Sequence, residues 1–454
     1  MRDIVLVLVT GLLLLGAFKN PVWGTYLWAW FSLMNPHKLT YGFAFTLPFA
    51  QAIAAVTLVM WVAAKNRRMV PLTPLTAVWA SVFLWMTVTS FFAMNHPDLV
   101  LERWIFVAKI QLMLLVTMML VVEAKHLKTL VIIVTLSVAF YGIKGGVFVV
   151  ATAGGARVWG PPGGLLQGNN ELAVGLTMLV PYLYWMRHIA QNKWLKLGLM
   201  LCIVLCVLSI LGSQSRGALL AIVAMAAFLG LKSDKPVRMT LLLCLGLLIA
   251  IALMPDTWSN RMDTIGTYKE DSSAMSRIWT WTTMWNAAVD RPFVGAGFRA
   301  DSTLVFGLYA PQGGQWQIFE GLIYVAHSIY FQMLGEHGFV GLGLFLGMWG
   351  AVWLRARKLI KLTKDLPELQ DWMPMLMRMT HVSIIAFLAG GAFLSLAYLD
   401  LAYYIVGYVI IADRLVSDAL RQQAAAAAVG AVPPTPRQAA ASRPALARKP
   451  VQGS

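Results

Sequence analysis

Apolar runs of the length a bilayer demands recur along this chain, and no other feature narrows its possible folds so far. They fall at about 3–18, 21–34, 43–63, 75–93, 103–121, 127–150, 170–186, 195–211, 214–231, 238–254, 328–354, 381–398 and 401–416. Many approach or exceed the roughly 20 residues that carry a helix across about 30 Å of hydrocarbon. There, every backbone N–H and C=O must find its partner inside the chain, so only helices and closed barrels can span. A barrel would show ~10-residue segments of alternating polarity, and this sequence has no such pattern. The expected fold class is therefore all-α, a polytopic membrane protein of about 12 transmembrane helices with a large helical loop on one side. No small-residue cleavage site follows the first run, which is expected to stay as a membrane segment and not to be removed as a signal peptide.

The charges orient the segments. A net charge of +16 would suggest nucleic acid in a soluble protein, but the basic residues collect in short loops and in the tail, where they act as topology signals and imply no nucleic-acid partner. Clusters at 65–68, 125–128, 187–196, 232–238 and 355–364 alternate with loops poor in Lys and Arg, and the positive-inside rule makes them cytoplasmic. An even number of crossings must then precede residue 65 if the N-terminus is also inside, so 3–34 reads as one broken crossing around Asn20-Pro21. The alternative is 13 full spans with an external N-terminus. Parity places 94–102, 151–169, the tight 212–216 turn and the long 255–327 loop outside. The chain divides into N-terminal transmembrane helices (1–254), the external loop (255–327), C-terminal transmembrane helices (328–416) and a disordered cytoplasmic tail (417–454), the last carrying an Ala run followed by Pro, Arg and Gln. Cys202, Cys206 and Cys244 lie in apolar segments without metal-ligand spacing, so no disulfide, metal or cofactor is expected.

The outer side holds the candidate chemistry. The 255–327 loop has a net charge of −2, so an anion site there must be built from particular arginines; a helix is expected over 275–289. Arg216 sits in the polar break Gly212-Ser213-Gln214-Ser215-Arg216-Gly217. It could snorkel or cap a helix end, or clamp phosphate, since a guanidinium presents a planar fork to phosphate oxygens and keeps its charge. Arg277 opens the aromatic stretch Arg277-Ile278-Trp279-Thr280-Trp281-Thr282-Thr283-Met284-Trp285, followed by Arg291-Pro292-Phe293-Val294-Gly295-Ala296-Gly297. A salt bridge with Asp271 is its bland reading; Gly295 and Gly297 read as a turn. His327 stands where the loop meets 328–354, either as a structural hydrogen-bonding residue or as a general base, because imidazole titrates near neutrality. Ser328, Gln332 and Glu336 share one helix face and are candidate substrate contacts, as are Arg291 and Asn170. Asn169 or Asn170 is also the expected N-cap of the next helix. Of a straight helix over 328–354, His337 would occupy a different stripe ~15 Å deeper; neither it nor Arg299 is assigned a role.

The pattern His327-Ser328, nine residues, Gly338, two residues, Gly341 resembles the signature of bacterial O-antigen ligases. The 213–217 turn and the Arg277…Trp285…Arg291 to Gly297 stretch are similar to the same superfamily, which includes O-antigen polymerases and protein O-oligosaccharyltransferases. The short start and Asn169-Asn170-Glu171-Leu172-Ala173 resemble its exosortase-associated O-glycosylation ligase branch. The resemblance implies a metal-independent glycosyltransferase of the bacterial inner membrane, facing the periplasm. Its donor would be a glycan on undecaprenyl diphosphate and its acceptor lipid A-core. Arg216 and Arg277 would bind the diphosphate, and His327 would deprotonate the acceptor hydroxyl. A transporter or flippase is the reading from another class; the absence of a convincing internal repeat weighs against it.

Overall fold

The computed structural model describes residues 1–430 except 66, 233–236, 238–240, 242–244, 247 and 249–271. The apolar segment 238–254 thus falls largely outside the described residues, as do Cys244, Asp271, the first part of the long loop and the tail from 431. Among the described residues there is helix and no strand. In chain order the α-helices are α1 (Arg2–Lys19), α2 (Val22–Met34), α3 (Phe49–Ala63), α4 (Pro74–Ser90), α5 (Pro97–Leu120), α6 (Ala124–Ala151), α7 (Asn169–Ile189), α8 (Lys193–Gly212) and α9 (Arg216–Lys232). After the undescribed stretch come α10 (Ser272–Asp290), α11 (Thr303–Tyr309), α12 (Ile329–Leu362), α13 (Met373–Gly391) and α14 (Asp400–Gly430).

Four of these, α6, α8, α12 and α13, are long and apolar enough to cross a membrane, and α3, α4 and Arg216–Leu231 of α9 are shorter apolar helices. Their surfaces fit a lipid surround. On α8 the apolar Leu195, Leu197, Met200, Leu201 and Val204 are exposed, whereas Cys206 and Ile210 are buried. Such an outward apolar face would be a liability in water and is the ordinary exterior of a helix in hydrocarbon. The interior is a continuous apolar core that α14 threads from Leu401 to Val416.

Hydrogen bonds between loops sort them into two ends. At one, Arg68 N donates to Met119 O (3.0 Å), Arg414 to Met118 O and Val121 O, Tyr26 OH to His126 O and Trp185 Nε1 to Trp372 O. At the other, Asn95 reaches Arg299 O, Asn169 reaches Ser213 O and His327 N reaches Ser395. The first set includes or adjoins the basic clusters at 65–68, 125–128 and 187–196, and the second includes candidate residues.

Three expectations are corrected. Residues 3–34 are an antiparallel hairpin turned at Asn20-Pro21, not one broken crossing: Asp3 Oδ1 accepts from Gly42 N (3.1 Å) and Ala44 N (3.0 Å), so α1 begins beside the segment that follows α2. Close approach holds the group together, since a Cβ on Gly24 would lie 2.2 Å from Thr57 Oγ1 of α3. The last helix does not stop near 416 but runs to Gly430, because the Ala run is the best helix former available. Helix α12 is also not straight: Gly338 has φ 68°, ψ −173° and splits it into a short outer piece and a long inner one.

Candidate active site

The segment 392–399, which joins α13 to α14, is where three distant stretches of chain meet. Gly217, beside Arg216, packs on Phe393, with its Cβ position 3.4 Å from Phe393 Cβ. The Phe393 ring lies 6.2 Å from that of Trp281, one helical turn after Arg277 on α10. Trp281 Nε1 donates to Ala326 O (2.7 Å), and its indole stacks on Phe331 at 5.1 Å and 8°. Next to Ala326, His327 donates its N–H to Ser395 Oγ (2.8 Å). Arg216, Arg277 and His327 therefore border one small region although the chain between the first and last is over a hundred residues long.

Each is positioned by local backbone chemistry. Gln214 takes a left-handed φ of 55°, turning the chain so that Ser215 caps α9: its Oγ accepts from Ala218 N (3.2 Å). Ser213 Oγ in turn accepts from Ser215 N (3.2 Å). Arg216 is thus the first residue of α9, where the positive end of the helix dipole adds to its own charge and favours an anion. His327 has φ 45°, a strained value for a residue with a Cβ. Ser328 Oγ then caps the outer piece of α12 by accepting from Phe331 N. Burial first, and then the positive charge of Arg277, push the His327 imidazole down to about 4. The Arg277 charge also acts on Glu171, whose carboxylate folds back over Gly168.

The face Ser328, Gln332, Glu336 exists but points inward, and all three are buried. Gln332 Oε1 accepts from Ala397 N (3.2 Å). Glu336 Oε1 accepts from Arg299 N (3.1 Å), while its Oε2 accepts the Tyr398 hydroxyl proton. Tyr398 OH is also 2.7 Å from His337 Nε2, and Nδ1 of that ring is 2.6 Å from Thr89 Oγ1. If Tyr398 donates to Glu336, His337 must carry a proton on Nε2, and the single Thr89 hydroxyl proton is shared between the ring Nδ1 and Met86 O. Fully buried beneath the edge of Phe298 (4.8 Å, 88°), His337 is a structural link between α4, α12 and the 392–399 connection.

The glycines of both motifs make the break in α12 possible. Ala296 N and Gly297 N donate to Gly335 O (2.8 Å) and Glu336 O (2.9 Å), and Phe339 N donates to Pro292 O (2.8 Å). The 292–297 turn thereby satisfies backbone groups that the break would leave open. Gly295 and Gly297, both at positive φ, do form a turn, as their spacing predicts.

Other candidates lie nearby in different roles. Arg291 donates to Phe92 O (2.6 Å), tying α10 to the α4–α5 turn. Gly168, not an asparagine, is the N-cap of α7; Asn169 instead donates to Ser213 O (2.8 Å), joining α7 to the Arg216 turn. Asn170 is half-buried in the first turn. Two elements escaped the sequence reading. Arg103, on α5, lies 5.3 Å over the Tyr398 ring, and a lone charge bordering an apolar run was the signal for it. The segment 392–399 carried a weaker one, Ser395 and Tyr398 near the end of an apolar run.

Comparison with known proteins bears on this arrangement. Residues 174–346 match the family model described as O-antigen ligase, and residues 1–188 match one described as a family of unknown function (DUF5935). A search of curated proteins finds no match. The O-antigen ligase match contains Arg216, Arg277, His327 and the Gly338 break, and stops short of Phe393 and Ser395. Over that segment the chain is similar to the O-antigen ligase family, which supports ligase- or polymerase-type activity in general terms.

Proposed function

We propose that the protein is a lipid-linked glycan ligase, moving a glycan from undecaprenyl diphosphate to a sugar hydroxyl of lipid A-core at the periplasmic face of the inner membrane. The observation that carries the reading is that Gly217 and Trp281, which neighbour Arg216 and Arg277 in the chain, converge with the His327 N–H on residues 393–395, with the Arg277 charge acting on His327. Two guanidinium groups and a helix N-terminus suit the diphosphate and the charge that develops on it as it leaves. His327, neutral and half-buried, accepts the acceptor hydroxyl proton. The hydroxyl oxygen bonds to the anomeric carbon, the bond from that carbon to the phosphate oxygen breaks, and undecaprenyl diphosphate departs with the electron pair. A single displacement inverts the anomeric centre, and the arginines take the place of a divalent cation.

The low proton affinity of His327 fits this sequence of events. Arg277 contributes to it, and a bound diphosphate would neutralise that charge. The imidazole then becomes a better base when the donor is in place. The test is transfer by purified protein from undecaprenyl diphosphate-linked glycan to lipid A-core. His327→Ala should retain donor binding and transfer nothing, with EDTA without effect on the wild type; full transfer by the variant would sink the mechanism. A deletion strain that still makes long lipid-linked polymer but leaves lipid A-core bare would favour ligase over polymerase.

A further inference from the structure

A cavity of about 240 Å³ begins one residue from His327, and its lining is chemically unlike the arginine side of the site. Its polar wall comprises Arg103, Arg299, Asp301, Gln332, Glu336 and Ser395, and Met284 and Ala326 supply part of an apolar wall. Ser395 and Ala326 belong to both places: Ser395 Oγ holds His327 N, and Ala326 precedes it in the chain. At ~30 Å³ per water the space equals about eight waters, which suits one sugar ring of a saccharide whose remainder lies outside the cavity.

The two guanidinium groups are offset by two carboxyl groups. Arg299 pairs with Asp301 (3.4 Å), and Glu336 is engaged by Tyr398 and the Arg299 N–H. A diphosphate brought here would meet Asp301 and Glu336, whereas Arg216 and Arg277 offer it a more favourable seat. Donors alternating with acceptors, beside an apolar wall, instead match a neutral polyhydroxylated ring that has O–H groups at its edge and C–H groups on its face. Arg103 is held over the Tyr398 and Phe106 rings at 5.3 and 5.2 Å. Its buried Nε has no partner among the described residues, a donor a ligand could satisfy.

We propose that this cavity is the acceptor subsite, in which Arg103, Arg299 and Asp301 grip the sugar ring whose hydroxyl is presented to His327. The proposal rests on the ligase reading for the identity of the sugar. Arg103→Lys keeps the charge and loses the planar fork; Asp301→Asn keeps the shape and loses the strong acceptor. With purified full-length protein, undecaprenyl diphosphate-linked glycan and lipid A-core, each variant should raise the acceptor KM about tenfold or more, the scale of one hydrogen bond to a charged group, and leave the donor KM within about twofold. A merely structural role would lower kcat and melting temperature without that split. An unchanged acceptor KM, or a rise in donor KM instead, overturns the assignment. Delipidated core oligosaccharide gives a readout without turnover, by saturation-transfer NMR. Wild-type protein should show contact with it that both variants lose, and no contact in the wild type overturns the assignment. Contact without any transfer would reject the ligase reading and keep the cavity as a saccharide site.

Discussion

Replacing Gly338 by Ala isolates the cost of the break that shapes the outer end of α12. The residue sits at φ 68°, ψ −173°, a region open essentially to glycine alone, where another residue costs about 1–3 kcal/mol. A Cβ there would stand 2.4 Å from Phe293 O and 2.6 Å from Pro292 O. Both are backbone atoms of the turn that is bonded to Gly335, Glu336 and Phe339, so no side chain can swing aside. Forced overpacking adds about 1–3 kcal/mol, giving ~2–6 kcal/mol in all, a large part of the ~5–15 kcal/mol by which folded proteins are stable. Thermal unfolding in detergent should show Gly338→Ala melting many degrees below wild type, with transfer lost because the 292–297 turn must withdraw. Gly343 is the control on the same helix: nothing lies within 4 Å of its Cβ position, and Gly343→Ala should be neutral or slightly stabilising. If the two variants melted alike, the backbone contacts at the break would not be what shapes this helix.

On the proposed mechanism the pH dependence of transfer follows from His327, which is held down to about 4. In the free protein the base stays unprotonated well below its usual range, so kcat/KM should stay level from pH 8 to about 5 and fall as pH approaches 4. The corresponding kcat profile should fall at higher pH, because the bound diphosphate offsets Arg277; coincident profiles would contradict the coupling. The sign for stability is the same: below about 6.5 the unfolded chain takes a proton that folded His327 refuses until about 4, so folding weakens as pH drops through that window. Arg216→Lys should raise the donor KM by about tenfold with the acceptor KM unchanged, since the charge remains and the fork is lost; equal values would remove it from the diphosphate site. Tyr398→Phe leaves the buried Glu336 carboxyl and His337 without their shared hydroxyl and should cost about 1–3 kcal/mol in thermal unfolding.

Much of this architecture was legible in the sequence, for a physical reason. A bilayer imposes one length and one polarity on every crossing, so apolar runs and basic loops report helices and their directions without tertiary information. The helix expected over 275–289 is Ser272–Asp290. Short helices escaped that logic. Residues 3–34 contain too little apolar length for two obvious spans, and parity merged what Asp3 and the 42–44 backbone show to be a hairpin. At the site, Arg216, Arg277 and His327 could be named because charge is expensive near hydrocarbon and therefore conspicuous. Which neighbours they have could not be read off, because Phe393 and Ser395 act through an aromatic contact and one hydroxyl, residue types common in any helix end. The break at Gly338, which divides α12 just beyond Gln332 and Glu336, is something a straight-helix projection cannot foresee.

The position of residues 392–399 in the chain sets a condition on biogenesis. A ribosome that has released Arg216, Arg277 and His327 into the membrane has supplied every charged group assigned to the chemistry, yet His327 N still lacks Ser395 and Trp281 still lacks Phe393. The site closes only when α13 has inserted and the chain has turned into α14. A nascent or truncated chain that ends before residue 393 therefore lacks both contacts.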